Sequence, residues 1–455
     1  MAGHAQTDGG TIVSQYGYDG EGHLTSVQDN TGSACVTRVY PFGDAHSNRT
    51  ALTTTAAAAA CDSGSTPTTD STSYAYDSAD RLVTTTHGTT TATAGYDAFG
   101  RRTNGLDGRS VGYYTGDLVR QIAEGDNRQT YGLDVANRQA TVTAEIKAAD
   151  GTWSTTSTTT QHYRSGADTP AWSSVPAGTT TTVSRNVGDL TSGLSAVTGA
   201  SGDVVLQLSN LHGDISVQLP LAAGAQPVVQ RFDEYGNLDA STTTAHYGWL
   251  GTAARAGDTP GGHLLMGARV YDPATGTFLQ NDPVAGGGDN AYGYCSGDPV
   301  NCSDTAGTFD YWLKYNVGNP HMSAKSYFKK FRANFPWVFP IGGHASKLSH
   351  VGQKMDLWVK IAGIKIPFPI VVKSITSNGW RFNTRWGHPD YPGFISFYFT
   401  HLKSGQMRIT IHGNVPPGAD AWFIGKSNYV KKAKSTWAKL ISNLKDLTHY
   451  INTMG

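Results

Sequence analysis

Residues 309–455 contain no glutamate and no cysteine. Without Glu, this stretch cannot run a Glu-dependent ADP-ribosyltransferase, an HExxH metalloprotease or a glycosidase of the usual carboxylic-acid pair. Without Cys, thiol proteases and Cys-zinc deaminases are excluded. Long apolar runs are missing as well. The longest in this stretch, around Ile364–Val372, is about half of what a bilayer-spanning helix needs, and Pro interrupts it. No transmembrane helix is therefore expected. The opening MAGHAQTDGG lacks the basic-then-apolar order of a secretion signal. Repeats begin at once after it, so the chain is expected to be the C-terminal piece of a longer product. At 455 residues it has room for two or three domains. Modest hydrophobic content with abundant Gly and Thr favours short strands and turns over helices.

Formal neutrality conceals a division. Residues 309–455 hold 16 Lys and 4 Arg against 5 Asp, a net charge of +15. The preceding residues hold 15 basic and 30 acidic side chains, a net charge of −15. Asymmetry on this scale points to two parts with different tasks, or to a basic cargo stored in an acidic shell. All four cysteines, Cys35, Cys61, Cys295 and Cys302, precede the tail. None forms a CxxC zinc pattern. They read either as two loop-closing disulfides of an exported protein, with Cys295 and Cys302 close enough to pair, or as small buried thiols. No metal site and no cofactor is expected.

An internal repeat runs through the acidic part. Tyr18-Asp19, Tyr76-Asp77, Tyr96-Asp97 and Phe232-Asp233 are each followed by a turn residue four places after the aromatic, and usually by Leu at six. YGLDVANR around Tyr131 is a degraded copy. The pattern predicts a strand ending in an aromatic, an Asp-Gly-type turn and a return strand, stacked on neighbours because one hairpin cannot bury its own face. It resembles the YD repeat. Thr53–Ala60 and Thr155–Thr160 read as loops or weak edge strands, and Ala167–Thr181 as aperiodic.

Residues 263–307, with GARVYDPATGTFLQNDP, GGGDNAYGYCSGDPVN and SDTAG in order, resemble the repeat-associated core of RHS proteins. That resemblance implies a β-hairpin shell upstream, here 1–262, a core at 263–308, and a variable tail, often a toxin, at 309–455. It also implies self-cleavage after Thr308, with Asp282 and Asp304 as an acid/base pair sharing one proton. Here Thr305 stands for the family's Pro, Thr308 for its Leu, and Asn281 where a basic residue often precedes the first Asp. The alternative is that both aspartates cap turns.

The tail's periodicity predicts α+β: a helix over Pro320–Phe335, an antiparallel sheet of four to six strands between Lys354 and His412, and a final helix capped by Ser427. Its apolar stripe is Tyr429, Val430, Ala433, Trp437, Leu440, Leu444 and Leu447. The fold class expected for the chain is thus mainly β with a small α+β end. For chemistry, Arg385 and His388, with His412 or His401 as second proton carrier, form the candidate constellation of a metal-free ribonuclease. Trp386 and Tyr391 are candidate base-stacking residues. The bland reading is a hairpin turn and core tryptophans. The run GHPDYPGFISFYF…GQMRITIHG with STWAKLISNLKDL is also similar to the C-terminal half of helix-grip, START-like domains, which would imply an apolar ligand site and no catalytic residues. The function expected is an exported or surface RHS-type protein delivering a tail effector in interbacterial competition, with nucleic acid as its target. Ligand binding at an anionic membrane surface and non-enzymatic adhesion are the alternatives. Expected partners are a cognate immunity protein and the upstream repeats of a longer chain.

Overall fold

The computed structural model describes residues 2–454 apart from 8–10, 20, 44–46, 59–60, 62–65, 106–107, 165–167, 189–192, 240–244, 284–289, 306, 308–309, 344–346, 362–363, 389–390, 392, 403 and 415–425. The chain is mainly β, with antiparallel sheets and a long C-terminal helix. It forms two compact units, one of residues 1–281 with 288–307 and one of 282–287 with 308–455.

The first unit is built from two long meanders, in which each strand pairs with the next in sequence. One has eight strands, from Ala2–Thr7 to Thr90–Thr93. The other has thirteen, from Gly95–Tyr96 to Val228–Val229. The repeat supplies their turns. In Asp77–Arg81 the aspartate Oδ1 accepts from the amides of Ala79 and Arg81, and Oδ2 accepts from Arg81 Nε at 2.7 Å. Asp97–Arg101 and Asp134–Arg138 repeat this geometry. The residue before the arginine sits at positive φ: Asp80 at 62°, Gly100 at 78°, Asn137 at 60°. This backbone region favours Gly, Asn and Asp, which explains the turn residue in the motif. A register shift follows in the strand, as at Ala75/Tyr76.

The arginines link successive turns. Arg81 lies over the Tyr96 ring at 5.4 Å, Arg101 over Tyr113 at 5.0 Å and Arg138 over Tyr163 at 4.2 Å. The tyrosine hydroxyls complete the ladder by donating to carbonyls of the earlier strand: Tyr96 to Leu82, Tyr113 to Arg102 and Tyr163 to Gln139. Turns closed by the same backbone bonds also occur without the aromatic-Asp signature, among them Tyr114–Leu118 and Asn210–Asp214. In Asn210–Asp214, Asn210 Oδ1 accepts from the amides of His212, Gly213 and Asp214, as Asp19 Oδ1 does from those of Glu21, Gly22 and His23.

The Thr-rich stretches form strands rather than loops or edges. Ala51–Ala57 and Trp153–His162 each pair with neighbours on both sides. Thr is β-branched and suits extended backbone, and its hydroxyls pair across strands, as Thr53 with Ser71 at 3.1 Å. The segment expected to be aperiodic contains the strand Trp172–Ala177. The four cysteines form two disulfides, Cys35–Cys61 and Cys295–Cys302.

Three short strands, Leu264–Met266, Arg269–Asp272 and Thr277–Phe278, form a separate sheet. They anchor the meander. Leu265, Val270 and Leu279 pack with Val111, Val119, Ile122 and Tyr131. A buried Arg102–Asp272 pair at 2.7 Å joins the two parts.

The second unit has strand β1 (Asp310–Asn316), helices α1 (Ala324–Ala333) and α2 (Phe335–Val338), then β2 (Lys354–Ile361), β3 (Ile364–Ile375), β4 (Gly379–Thr384), β5 (Phe394–His401) and β6 (Met407–Asn414), and finally α3 (Lys426–Met454). The sheet order is β1-β6-β5-β4-β3-β2, antiparallel throughout. Ser323 caps α1 by accepting from the Ser326 amide, which turns Tyr327, Phe328 and Phe331 inward. Ser427, expected as a cap, is already the second residue of α3, a shift typical of helix ends. Trp380 stacks between Phe331 at 4.6 Å and Phe397 at 4.5 Å. Leu440, Leu444 and Leu447 of α3 close this core, whose members among the described residues all belong to the second unit.

Candidate functional site

The junction aspartates come first. Asp304 is 4% exposed and Arg269 is 3% exposed. Arg269 donates to Asp304 Oδ2 at 2.9 Å and, through Nε, to the Gly307 carbonyl at 2.7 Å. Its guanidinium lies over the Phe278 ring, 3.5 Å from the centroid. The Asp304 amide donates to the Tyr294 hydroxyl at 3.1 Å. Gly307 has φ +58°, and a Cβ there would stand 1.9 Å from the Met266 carbonyl oxygen. The SDTAG motif is therefore a tight turn clamped from one side by Arg269. Asp282 is buried and belongs to the second compact unit, whereas Asp304 belongs to the first. Thr308, the expected cleavage point, lies outside the described residues. Sequence reading missed Arg269, although it stands in the GARVYD motif. A buried cation is the natural counterpart of a buried aspartate, and that was its signal.

In the tail the expected ribonuclease constellation does not assemble. Arg385 donates to Asp356 Oδ1 at 2.8 Å, and its amide donates to the Pro369 carbonyl. Asp356 is an exposed residue alternating with the buried Met355 and Leu357, so Arg385 reaches the outer face of the sheet. The His388 ring packs edge-on against Phe368, 4.7 Å away, and Phe368 belongs to the core side. Burial lowers the His388 pKa to about 3, which keeps the imidazole neutral. Arg385 and His388 thus engage opposite faces of the sheet.

His412 lies on β6, edge-on to Phe394 at 5.0 Å. Three strand spacings, about 14 Å, separate β6 from the β3 position that Arg385 contacts. The physical reason is the turn that follows β4: the His388 amide donates to the Arg385 carbonyl, and the turn sends the two side chains to opposite faces. His401 is exposed at the end of β5. Trp386 is 86% exposed and Tyr391 is 44% exposed, so both remain free to stack.

Two further clusters lie in the first unit. Asp19, Glu21 and His23 are close enough to hold a metal ion. Asp19 Oδ1 already accepts from the amides of Glu21, Gly22 and His23, and Oδ2 contacts His23 Nδ1 at 2.7 Å. This is the cap of a repeat turn, with His in the arginine's place. A cavity of about 390 Å³ is lined by Arg102, Arg109, Asp233, His263 and Asp272 among others. Burial raises Asp272, but Arg102 and other nearby charges outweigh it and bring its pKa down to about 2.

No family model matches the chain, and no curated protein matches it. Similar solved structures exist. Among them are crystal structures of TcdB2-TccC3, a Tc toxin whose TccC3 part is an RHS-repeat protein. One is 17% identical with a TM-score of 0.45, covering 67% of this chain and 18% of that chain. The TcdB2-TccC3-TEV structure is 16% identical with a TM-score of 0.44, covering 65% and 17%. This chain therefore spans less than a fifth of those structures' length. Ara h 8.0201 is also similar, at 9% identity and a TM-score of 0.25, covering 31% of this chain and 99% of that chain.

Proposed function

We propose that this chain belongs to an exported RHS-type protein that carries its basic tail as an effector for interbacterial competition, and that the effector acts on nucleic acid. One observation carries the reading. The −15 part is a hairpin-repeat unit, while the +15 part has a different fold and, among the described residues, a core of its own side chains. A domain closed on itself is what a releasable cargo needs, and a strongly cationic one suits a polyanionic target. The two disulfides fit an oxidising, extracellular setting. Upstream repeats would complete the shell, and an immunity protein would protect the producing cell.

The sheet order and the long final helix favour a second reading, the helix-grip ligand binder. The stacked rings of Phe331, Trp380 and Phe397 occupy the space between sheet and helices in which such a ligand would sit. Expression of residues 309–455 in bacteria tests the proposal. Growth arrest with loss of RNA or DNA integrity is expected. Normal growth with intact nucleic acid overturns it, and growth arrest through membrane depolarisation alone transfers the case to the second reading.

A further inference from the structure

The two faces of the tail sheet differ in kind. Inward, β2 to β6 present Met355, Leu357, Trp380, Phe397 and Ile409, all buried. Outward, the same strands present Lys354, Lys360, Lys365, Arg381 and Arg408, which alternate with that buried set. Among the described side chains of the outer face there is one carboxylate, Asp356, and Arg385 already engages it. The cations are interleaved with rings. The Arg381 guanidinium lies 3.5 Å from the centroid of Phe394, and Lys365 Nζ lies 4.5 Å from that of Trp358. Tyr398 stands on the same face of β5, and the loop after β4 adds the exposed Trp386.

We infer that this outer face is a binding surface for single-stranded nucleic acid. The inference rests on the nucleic-acid reading above and assigns it a place and a strand state. Charge complementarity chooses a polyanion. The rings choose the strand state, because a duplex stacks its bases on one another and leaves the protein's rings unused, whereas an unpaired base offers its face. An anionic membrane would call for apolar side chains that protrude and insert. Trp386 is the one named ring here that protrudes, while Phe394 and Trp358 lie half-buried against the sheet beside their cations. At Phe394 an unpaired base would stack on the guanidinium plane that covers the ring, with neighbouring cations meeting the adjoining phosphates.

The test uses the full chain with a fluorescein-labelled 20-nucleotide oligouridylate, reading anisotropy over a KCl series. Five phosphate contacts predict that log K falls against log salt with a slope of about −3.5. Lys365→Gln/Arg381→Gln should reduce the slope by about 1.4. Phe394→Leu should weaken binding by about 5- to 150-fold while leaving the slope unchanged. Lys439→Gln/Lys445→Gln removes the same charge from the exposed side of α3 and should change neither quantity. Thermal melts of each variant check that it is folded. Absence of binding, equal loss from the α3 pair, equal affinity for a duplex of the same length, or binding only to phosphatidylserine vesicles overturns the inference. Lost binding in a tail that still destroys nucleic acid overturns the inference alone. Binding by a tail that harms no cell overturns the effector reading alone.

Discussion

Replacing Asp304 by Asn removes one charge from the junction and almost no volume. In the native protein Arg269 is 3% exposed, and its guanidinium donates to Asp304 at 2.9 Å. After the change the cation stays buried, with the Gly307 carbonyl and the Phe278 face as its named neighbours. Those contacts exist before and after, so they offset nothing. Removing one partner of a buried pair costs about 3–5 kcal/mol. The Asn oxygen remains a neutral acceptor, which places the expected loss near the lower end, at about 3 kcal/mol. For a domain of this size that corresponds to a melting temperature lower by about 6–12 °C.

The assay is calorimetry of the full chain, with three proteins compared: native, Asp304→Asn, and Asp304→Asn/Arg269→Met. The double variant should recover part of the loss, because it removes the unpaired buried cation, although it leaves a buried Asn amide and takes the Arg269 donor from the Gly307 carbonyl. A single variant melting within 2 °C of the native protein, on the scale set by about 2–4 °C per kcal/mol, refutes the role given to the pair. So does a double variant no better than the single one. Release of residues 309–455, followed by mass in the same samples, separates structure from chemistry. If Asp304 is an acid/base group, the double variant regains stability without regaining cleavage. Cleavage that persists in Asp304→Asn removes Asp304 from that chemistry.

Gly307→Ala should destabilise the junction even more, since its Cβ meets a backbone oxygen at 1.9 Å and φ is positive. Limited proteolysis around residue 307 reads this out, and unchanged resistance would contradict the geometry. Asp233 has its pKa raised to about 6, first by burial and then by Glu234. A raised carboxylate pKa means the folded state favours the protonated form, so stability falls as pH climbs from about 4 to about 6. Asp233→Asn should therefore stabilise the first unit at pH 7 by up to about 3 kcal/mol and do little at pH 4. Asn210 already caps an equivalent turn. Equal effects at both pH values in urea titrations would refute this. His388 has the opposite dependence: its pKa is lowered to about 3 by burial, so the tail loses stability as pH falls below about 6.5. His388→Phe should remove up to about 2 kcal/mol of that loss at pH 5, and an unchanged pH profile of unfolding would refute the packing role.

The sequence carried the repeat turns because their chemistry is local. An aspartate capping amides two and four residues on, with a left-handed residue before the arginine, is written in one short word. Tyr114–Leu118 was invisible in those terms because a Tyr stands where Asp usually does, and the side chains that hold its turn, Arg101 and Gln280, come from elsewhere in the chain. The tail sheet was equally legible from alternation, as in Met407, Ile409 and Ile411. What alternation could not supply was the Arg269–Asp304 pair, 35 residues apart, or the choice of face at the 385–388 turn. There the local sequence clusters Arg, Trp and His, while the fold sends Arg385 outward to Asp356 and His388 inward to Phe368.

That last separation also changes where activity in the tail is to be sought. Density of reactive residue types along the chain marked Trp380–Tyr391, but strand parity up to Thr384 and the turn after it divide the run between the two faces. Chemistry that survives this division must come from one parity class across several strands. On the outer face that class joins Arg381, Phe394, Arg408 and His412 from β4, β5 and β6. His412 is the proton carrier that shares a face with the cations, and it is directly opposite Ser396 on β5. A nuclease built on this scaffold would therefore use His412 without His388. Loss of nucleic-acid damage in His412→Gln but not in His388→Phe is the pattern this parity argument requires, and the reverse pattern defeats it.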